Sequence, residues 1–144
     1  MLMTNAQPGH EAHDFELLND PAQVERVEML LSDAATRNGF AKGSIFALRL
    51  SLHEAIANAF NHGHEGLSSE LTVHVRLEIG PDQIIMEVTD QGPGFDPASI
   101  PDPTLEENLE RGSGRGLLLI NAYMTRAEYN AKGNALRMVY TKPE

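Results

Sequence analysis

Residues 71–88 read LTVHVRLEIGPDQIIMEV, and this stretch decides the fold class of the chain. Apolar and polar residues alternate from Leu71 to Ile79, which is the period of a half-buried strand. Residues 80–82 (GPD) have the composition of a turn, and residues 84–88 resume the alternation. The stretch therefore predicts a β-hairpin and, with it, an antiparallel sheet.

The segment before the hairpin predicts two helices. Asp20-Pro21 supplies an N-cap and a first helical residue, and residues 22–38 place apolar side chains at helical spacing. A second helix is expected to begin near Lys42 or Ser44 and to end near His62. A short strand at residues 15–17 precedes both helices.

The segment after the hairpin predicts a long loop, a helix and a second pair of strands. Residues 96–111 contain three prolines and little periodicity, whereas residues 117–124 are apolar and helical in pattern. Residues 127–131 and 135–141 have strand character. The expected fold is α+β, a two-layer sandwich in which helices cover one face of a mixed, mainly antiparallel sheet.

Composition limits the classes of function. A chain of 144 residues suits one domain, expected at residues 14–144 after a flexible leader at residues 1–13. The net charge of −10 disfavours a protein that binds the phosphate backbone of nucleic acids. No secretion signal, long apolar span or cysteine is present, so we expect a soluble cytoplasmic protein without a membrane partner.

The second predicted helix carries a polar stripe beside its apolar one. Glu54 and Asn58 are four residues apart and therefore share a face, on which the carboxylate can accept a proton and the amide oxygen can bind Mg²⁺. Asn61 and His62 continue the stripe; they either line the same site or finish the helix. The alternative is a solvated helix face with an i,i+4 hydrogen bond.

Two zinc-type interpretations are weaker. His53-Glu54 would need a histidine at position 57 to form a zinc-protease helix, and that residue is Ala57. A cluster of His53, His62 and His64 is the other option, but histidines near a helix end are more often exposed or capping groups.

Two glycine-rich motifs follow. Residues 90–94 (DQGPG) end the hairpin, where an aspartate can accept a hydrogen bond from an exocyclic amine; a plain surface turn is the alternative. Residues 112–117 (GSGRGL) open into the third helix and can form an anion site from backbone N–H groups. A flexible hinge is the alternative there, and the motif is not a Walker A loop.

In order and spacing, these three motifs resemble the nucleotide-binding boxes of the GHKL ATPase superfamily, whose two-layer architecture is the Bergerat fold. The stretches LHEAIANAFNHG, GFDP, DPT and SGRGLLLINAYM look closest to the RsbW-type serine-protein kinases and anti-sigma factors. The resemblance extends from about residue 14 to 142.

The resemblance assigns roles by position. Glu54 matches the general base, Asn58 the Mg²⁺ ligand, and Asp90 the carboxylate that specifies adenine; residues 96–111 match the ATP lid. The implied nucleotide-binding residues are Asn58, Asn61, His62, Asp90, Gly92, Gly94, Gly112, Ser113, Gly114, Arg115, Gly116 and Leu117. Two positions depart from the family pattern, Thr125 in place of an aspartate and Gly133-Asn134 in place of Gly-Thr.

The activity implied by the resemblance is that of an ATP- and Mg²⁺-dependent serine-protein kinase and anti-sigma regulatory factor. Its expected partners are a STAS-type anti-sigma-factor antagonist, a sigma factor and a second copy of the chain, with no direct nucleic-acid contact. The alternative is a non-catalytic ATP-binding regulatory module that transfers no phosphate.

Overall fold

The structure, a computed structural model, describes residues 3–7, 10–94 and 112–143, with side chains described over 10–94 and 116–143. The α-helices within these residues are α1 (Pro21–Arg37), α2 (Lys42–Asn58) and α3 (Gly112–Tyr123). Its strands are β1 (Met3–Gln7), β2 (His10–Leu17), β3 (Val73–Ile79), β4 (Gln83–Thr89), β5 (Arg126–Tyr129) and β6 (Ala135–Thr141).

The strands form one six-stranded sheet in the order β1-β2-β3-β4-β6-β5. The predicted hairpin is its centre, where β3 and β4 pair in the register His74↔Thr89 to Ile79↔Ile84. The predicted α+β architecture is confirmed. The sheet was expected to be mixed, but every pairing of the described strands is antiparallel. The strands β4 and β5 run in the same direction, but β6 lies between them, so no parallel pair forms.

The alternation in the hairpin places one face of the sheet against the helices. Val73, Val75 and Leu77 of β3 are fully buried, whereas His74 and Arg76 between them are partly exposed on the other face. The helices complete this core with the buried side chains Val27, Leu31, Leu48, Leu52, Ile56 and Ile120. The removal of these groups from water is the main stabilising contribution to the two-layer packing.

The start of α1 follows the sequence signal. The Asp20 carboxylate accepts a hydrogen bond from the Ala22 backbone N–H at 3.0 Å, and Pro21 is the first helical residue. The apolar stripe of α1, which includes Val24, Val27 and Leu31, is buried in the core.

The N-terminal segment differs from the prediction. Residues 1–13 were expected to be a flexible leader, but β1 covers residues 3–7, and β2 begins at His10 and pairs with β3 from Glu11↔Ile79 to Leu17↔Val73. The short strand expected at residues 15–17 is the end of β2, whereas residues 10–14 (HEAHD) are too polar to signal a strand. Pairing with the strongly apolar β3 outweighs the low intrinsic strand preference of β2.

The third helix also begins earlier than expected. The motif at residues 112–117 was predicted to be a loop that opens a helix at 117, but α3 already begins at Gly112. Glycine destabilises a helix by about 1 kcal/mol per residue, so the glycines of this motif led to a predicted helix start that is too late. Residues 96–111, the predicted long loop, lie outside the described residues.

The end of α2 contains a feature that the sequence did not predict. The helix was expected to continue to about His62, but at Ala59 it changes to a π-helical turn, Ala59–Gly63. The His64 backbone N–H bonds to the Ala59 carbonyl at 3.0 Å, which is the i→i+5 spacing of that turn. This widening changes the direction in which the residues after Asn58 point.

None of the described helices combines the length and apolar character that a membrane crossing requires.

The exposed face of the sheet carries a histidine held between two carboxylates. The Nδ1 atom of His74 lies 2.6 Å from Glu16 Oε1, and its Nε2 atom lies 2.9 Å from Asp14 Oδ1. Partial burial lowers the pKa of His74, but the hydrogen bonds to Glu16 and Asp14 outweigh it, so that the pKa lies above its ordinary value. The protonated imidazole therefore joins β2 to β3.

We expect His74→Gln to destabilise the protein in a pH-dependent way. The folded pKa of His74 is raised above 6.5, so its contribution is fully present below pH 6.5 and is lost as the pH rises through the folded value. The side chain is partly exposed, which limits the contribution to less than about 1 kcal/mol.

Urea unfolding of both proteins between pH 5.5 and 9 measures this difference. A matched control is His53→Gln, since His53 makes one longer contact to Glu28 at 3.4 Å. A difference between wild type and His74→Gln that does not shrink toward pH 9 would contradict the prediction.

Candidate functional site

Two of the three motifs meet where α2 packs against α3. Gly116 of α3 is buried, and a Cβ atom at this position would lie 2.9 Å from Asn58 Nδ2 and 3.2 Å from Glu54 Oε2. Glu54 and Asn58 are both partly buried and lie one turn apart on α2. The expected base, the expected metal ligand and the second glycine motif are therefore neighbours.

This arrangement suits an anion that carries a metal ion. Gly116 has no side chain, so the backbone of α3 lies directly beside the Asn58 amide and the Glu54 carboxylate, near the start of a helix where anions bind. Mg²⁺ in proteins takes one or two protein oxygens and completes its shell with water and phosphate oxygens. A single amide ligand at Asn58 fits that use better than a cage made entirely of protein ligands.

The described side chains offer no such cage. Within residues 10–94 and 116–143 there is no group of three His, Cys, Asp or Glu side chains that could hold a metal ion. His53 instead contacts Glu28 on α1. The histidine cluster considered from the sequence is therefore absent from the described part of the chain.

The first glycine motif forms a tight turn at the end of β4. The Asp90 Oδ1 atom accepts a hydrogen bond from the Gly92 backbone N–H at 2.7 Å. A Cβ atom at Gly92 would overlap the Gly63 carbonyl oxygen, and one at Gly63 would overlap the Asp90 carboxylate. The turn therefore packs directly on the π-helical turn, through glycines that no larger residue could replace without movement.

Gly94 is also constrained by its backbone conformation and by a close backbone contact. Its φ angle is 77°, a conformation that favours glycine, and a Cβ atom there would overlap the Lys132 carbonyl oxygen. Both predicted glycines of this motif thus lie where the backbone requires them.

The Asp90 carboxylate is electrostatically perturbed. Burial raises its pKa above the ordinary value, although the Gly92 hydrogen bond and the electrostatic interactions with His64 and Lys132 oppose this shift. Burial and the nearby charge of Asp90 also raise the pKa of Tyr129 to about 12. A half-buried carboxylate with a raised pKa at a strand end is typical of a ligand-binding position.

Two residues of this region were missed by the sequence analysis. His64, buried beside the turn, accepts a hydrogen bond at Nε2 from the Gln91 backbone N–H at 2.9 Å. The Asn134 carbonyl accepts the Asp90 backbone N–H at 2.8 Å, and its Nδ2 donates to the Asp90 carbonyl at 3.2 Å. Position 134 had been noted only as a departure from the family pattern, and His64 only as a weak metal candidate.

Other expected site residues are not brought into this arrangement. Asn61 and His62 are exposed on the π-helical turn, and no described contact joins them to Glu54 or Asn58. Gly112, Ser113, Gly114 and Arg115 lie in the first part of α3, where only the backbone is described, and Leu117 is partly buried. The lid at residues 96–111 lies outside the described residues.

Comparison with known proteins gives the family. The histidine kinase-like ATPase domain matches residues 17–140. A serine-protein kinase RsbW of Oceanobacillus iheyensis is 32% identical over 136 residues, covering 88% of this chain and 85% of the relative. RsbW serine-protein kinases of Staphylococcus aureus strains RF122 and MRSA252 are 28% identical over 142 residues, covering 91% of this chain and 89% of each relative. These matches agree with the confirmed architecture, and the chain belongs to the histidine kinase-like ATPase family.

Proposed function

We propose that this chain is an ATP- and Mg²⁺-dependent serine-protein kinase that acts as an anti-sigma regulatory factor. The observation that carries the proposal is the position of Gly116 directly against the Glu54 carboxylate and the Asn58 amide. Phosphoryl transfer depends chiefly on positioning and on neutralisation of phosphate charge, and this junction holds groups suited to both.

Asn58 is the proposed protein ligand of the metal. Mg²⁺, when bound with ATP, neutralises the charge of the phosphate oxygens. A metal ion is needed all the more because the chain has a net charge of −10 and would otherwise repel a polyanion. The Asn58 side chain would orient that metal, and the backbone of α3 near Gly116 would receive the phosphates.

Glu54 is the proposed general base. It lies one helical turn before Asn58 and contacts the same glycine, so it is close to the position where a phosphate would lie. From there its carboxylate can accept the proton of a partner's serine hydroxyl as that oxygen attacks phosphorus. Asp90, at the other end of the site, would accept a hydrogen bond from the adenine amine.

The proposed protein partners follow from the relatives. The proteins named serine-protein kinase RsbW support a protein substrate, for which we propose a STAS-type anti-sigma-factor antagonist, with a sigma factor as the alternating partner. Such a regulator would act in the cytoplasm. Neither direct nucleic-acid binding nor membrane binding is part of the proposal.

We also propose a homodimer. The apolar stripe of α1 is buried in the core and is unavailable to a partner, but Met29 of the same helix is 48% exposed. Met29 and Leu30 line a surface groove beside α1 together with charged side chains, which gives a second copy an apolar contact.

We expect Glu54→Gln to abolish transfer while ATP still binds. Loss of a general base lowers the rate about 10²- to 10⁴-fold, whereas the neutral amide has the same size and leaves the contact with Gly116 in place. Incubation with labelled ATP and purified STAS-type antagonists measures the transfer, and ATP affinity is measured separately.

Two results would contradict this proposal. Undiminished transfer by Glu54→Gln would exclude the base assignment. If the wild-type protein binds ATP but transfers phosphate to no antagonist, the chain is the non-catalytic ATP-binding module instead.

We expect Gly116→Ala to weaken ATP binding at least about tenfold without loss of stability. The added methyl group would fall within 3.2 Å of Asn58 and Glu54 and would displace the two side chains proposed to bind the metal and accept the proton. Alanine also favours helix over glycine by about 1 kcal/mol, which offsets local crowding.

Gly43→Ala in α2 is the matched control, because a Cβ atom there meets nothing within 4 Å. Calorimetric titration with ATP and urea unfolding measure the two effects. ATP binding by Gly116→Ala at the affinity of Gly43→Ala would contradict the position of the phosphates.

We expect Asp90→Asn to lose ATP affinity roughly tenfold or more but no stability at pH 7. The asparagine keeps an acceptor for the Gly92 N–H and removes a carboxylate that burial destabilises. Because the native pKa lies above 3.8, wild-type stability falls as the pH rises from 3.8 through the native value, and the variant lacks this fall.

Urea unfolding at pH 7 and pH 3.5, with ATP titration at pH 7, separates the two effects. A variant that binds ATP as the wild type does would contradict the role of Asp90 in adenine recognition.

A further inference from the structure

His64 connects the end of α2 to the turn that carries Asp90. It follows the π-helical turn directly, is only 7% exposed, and packs edge-on against the Phe60 ring with centroids 5.7 Å apart. Its Nε2 atom accepts the Gln91 backbone N–H at 2.9 Å. Gln91 lies between Asp90 and Gly92, so the bond is made at the middle of the turn.

This bond helps to hold the turn, and with it the Asp90 carboxylate, against the end of α2. Gly92 packs on the Gly63 carbonyl from one side of Gln91, and Asp90 packs on Gly63 from the other. The His64 hydrogen bond therefore adds a directional contact to a steric one. Without it, the packing alone would hold the turn against the π-helical turn.

The bond requires the neutral form of His64. A backbone N–H is a donor, so the nitrogen that faces it must carry a lone pair, and the ring proton must then be on Nδ1. Protonation converts Nε2 into a second donor aimed at a donor. The contact then becomes repulsive, so the turn loses its hydrogen bond to the residue that follows the π-helical turn.

A protonated His64 would also be attracted to the Asp90 carboxylate. Asp90 is the carboxylate whose charge interacts with His64, while Lys132 acts on Asp90 from the turn between β5 and β6. Tyr129 of β5 interacts with Asp90 but remains neutral near pH 7, since its pKa is about 12. An imidazolium at position 64 would compete with a ligand amine for the Asp90 carboxylate.

We propose that His64 is a positioning residue that, when neutral, holds the Asp90 turn in its nucleotide-accepting form, and that its protonation weakens nucleotide binding. The inference rests on the proposed ATP site at Asp90. It makes nucleotide affinity sensitive to pH through a residue that does not touch the nucleotide.

The test compares the dissociation constant of Mg-ADP between pH 5.5 and 8.5 for the wild type, His64→Gln and His64→Ala. Glutamine offers an acceptor oxygen that does not titrate. The affinity of His64→Gln for Mg-ADP is therefore expected to stay within about threefold of wild type at pH 8.5 and to fall less than that of wild type at pH 5.5. Alanine is expected to lose about five- to tenfold at pH 8.5. His53→Gln on α2 is the control and should follow the wild type.

The ionisation of ADP and of Asp90 affects all these proteins alike. The difference in pH dependence between wild type and His64→Gln therefore measures the contribution of His64. An identical pH dependence in both would overturn the inference. Wild-type affinity in His64→Ala at pH 8.5 would overturn it as well.

Amide hydrogen exchange at Gln91 tests the hydrogen bond without any nucleotide. Its protection factor is expected to drop in His64→Ala and to be retained in His64→Gln, while protection in β3 is unchanged. Equal protection of Gln91 in wild type and His64→Ala would overturn the positioning role. A wild-type chain that binds no nucleotide but shows the expected exchange pattern would overturn the ATP site and support the positioning role.

Discussion

The carbonyl oxygen of Gly63 fills the space where a Cβ atom of Gly92 would lie, and the arrangement of the site depends on this contact. It joins the end of α2 to the end of β4 without an intervening side chain. The same α2 carries Glu54 and Asn58 toward α3, so one helix sets the distance between the Asp90 turn and the Gly116 junction. The π-helical turn makes the contact possible because it redirects the chain immediately after Asn58.

Much of the fold could be predicted because its signals are local. The alternation of residues 71–88 gave the central hairpin, and Asp20-Pro21 gave the start of α1. Residues 3–7 and 10–14 could not be predicted as strand in the same way, since they are ordered by pairing to β2 and, through it, to β3 far along the chain. The π-helical turn has no sequence period of its own, so a regular helix was the natural expectation.

In the candidate site, too, local features could be predicted from the sequence and long-range contacts could not. Glu54 and Asn58 are four residues apart, and their common face is fixed by helix geometry alone. The position of Gly116 against both residues depends on how α3 packs on α2. No local sequence pattern predicts that packing. His64 and Asn134 bond to backbone atoms of the turn that carries Asp90. Such contacts require no particular side chain at the neighbouring position, so they leave no pattern in the sequence.

The order of strands in the sheet also has a consequence for how the chain reaches this structure. β3 and β4 are joined by a short turn, whereas β2 pairs with β3 only after the chain has passed through α1 and α2. Closing that long connection costs entropy before its contacts can form, so we expect the hairpin to be ordered in the folding transition state and β2 to join later. The N-terminal strands would then be the last part of the sheet to assemble, on an edge whose hydrogen-bonding groups β3 has already set in place.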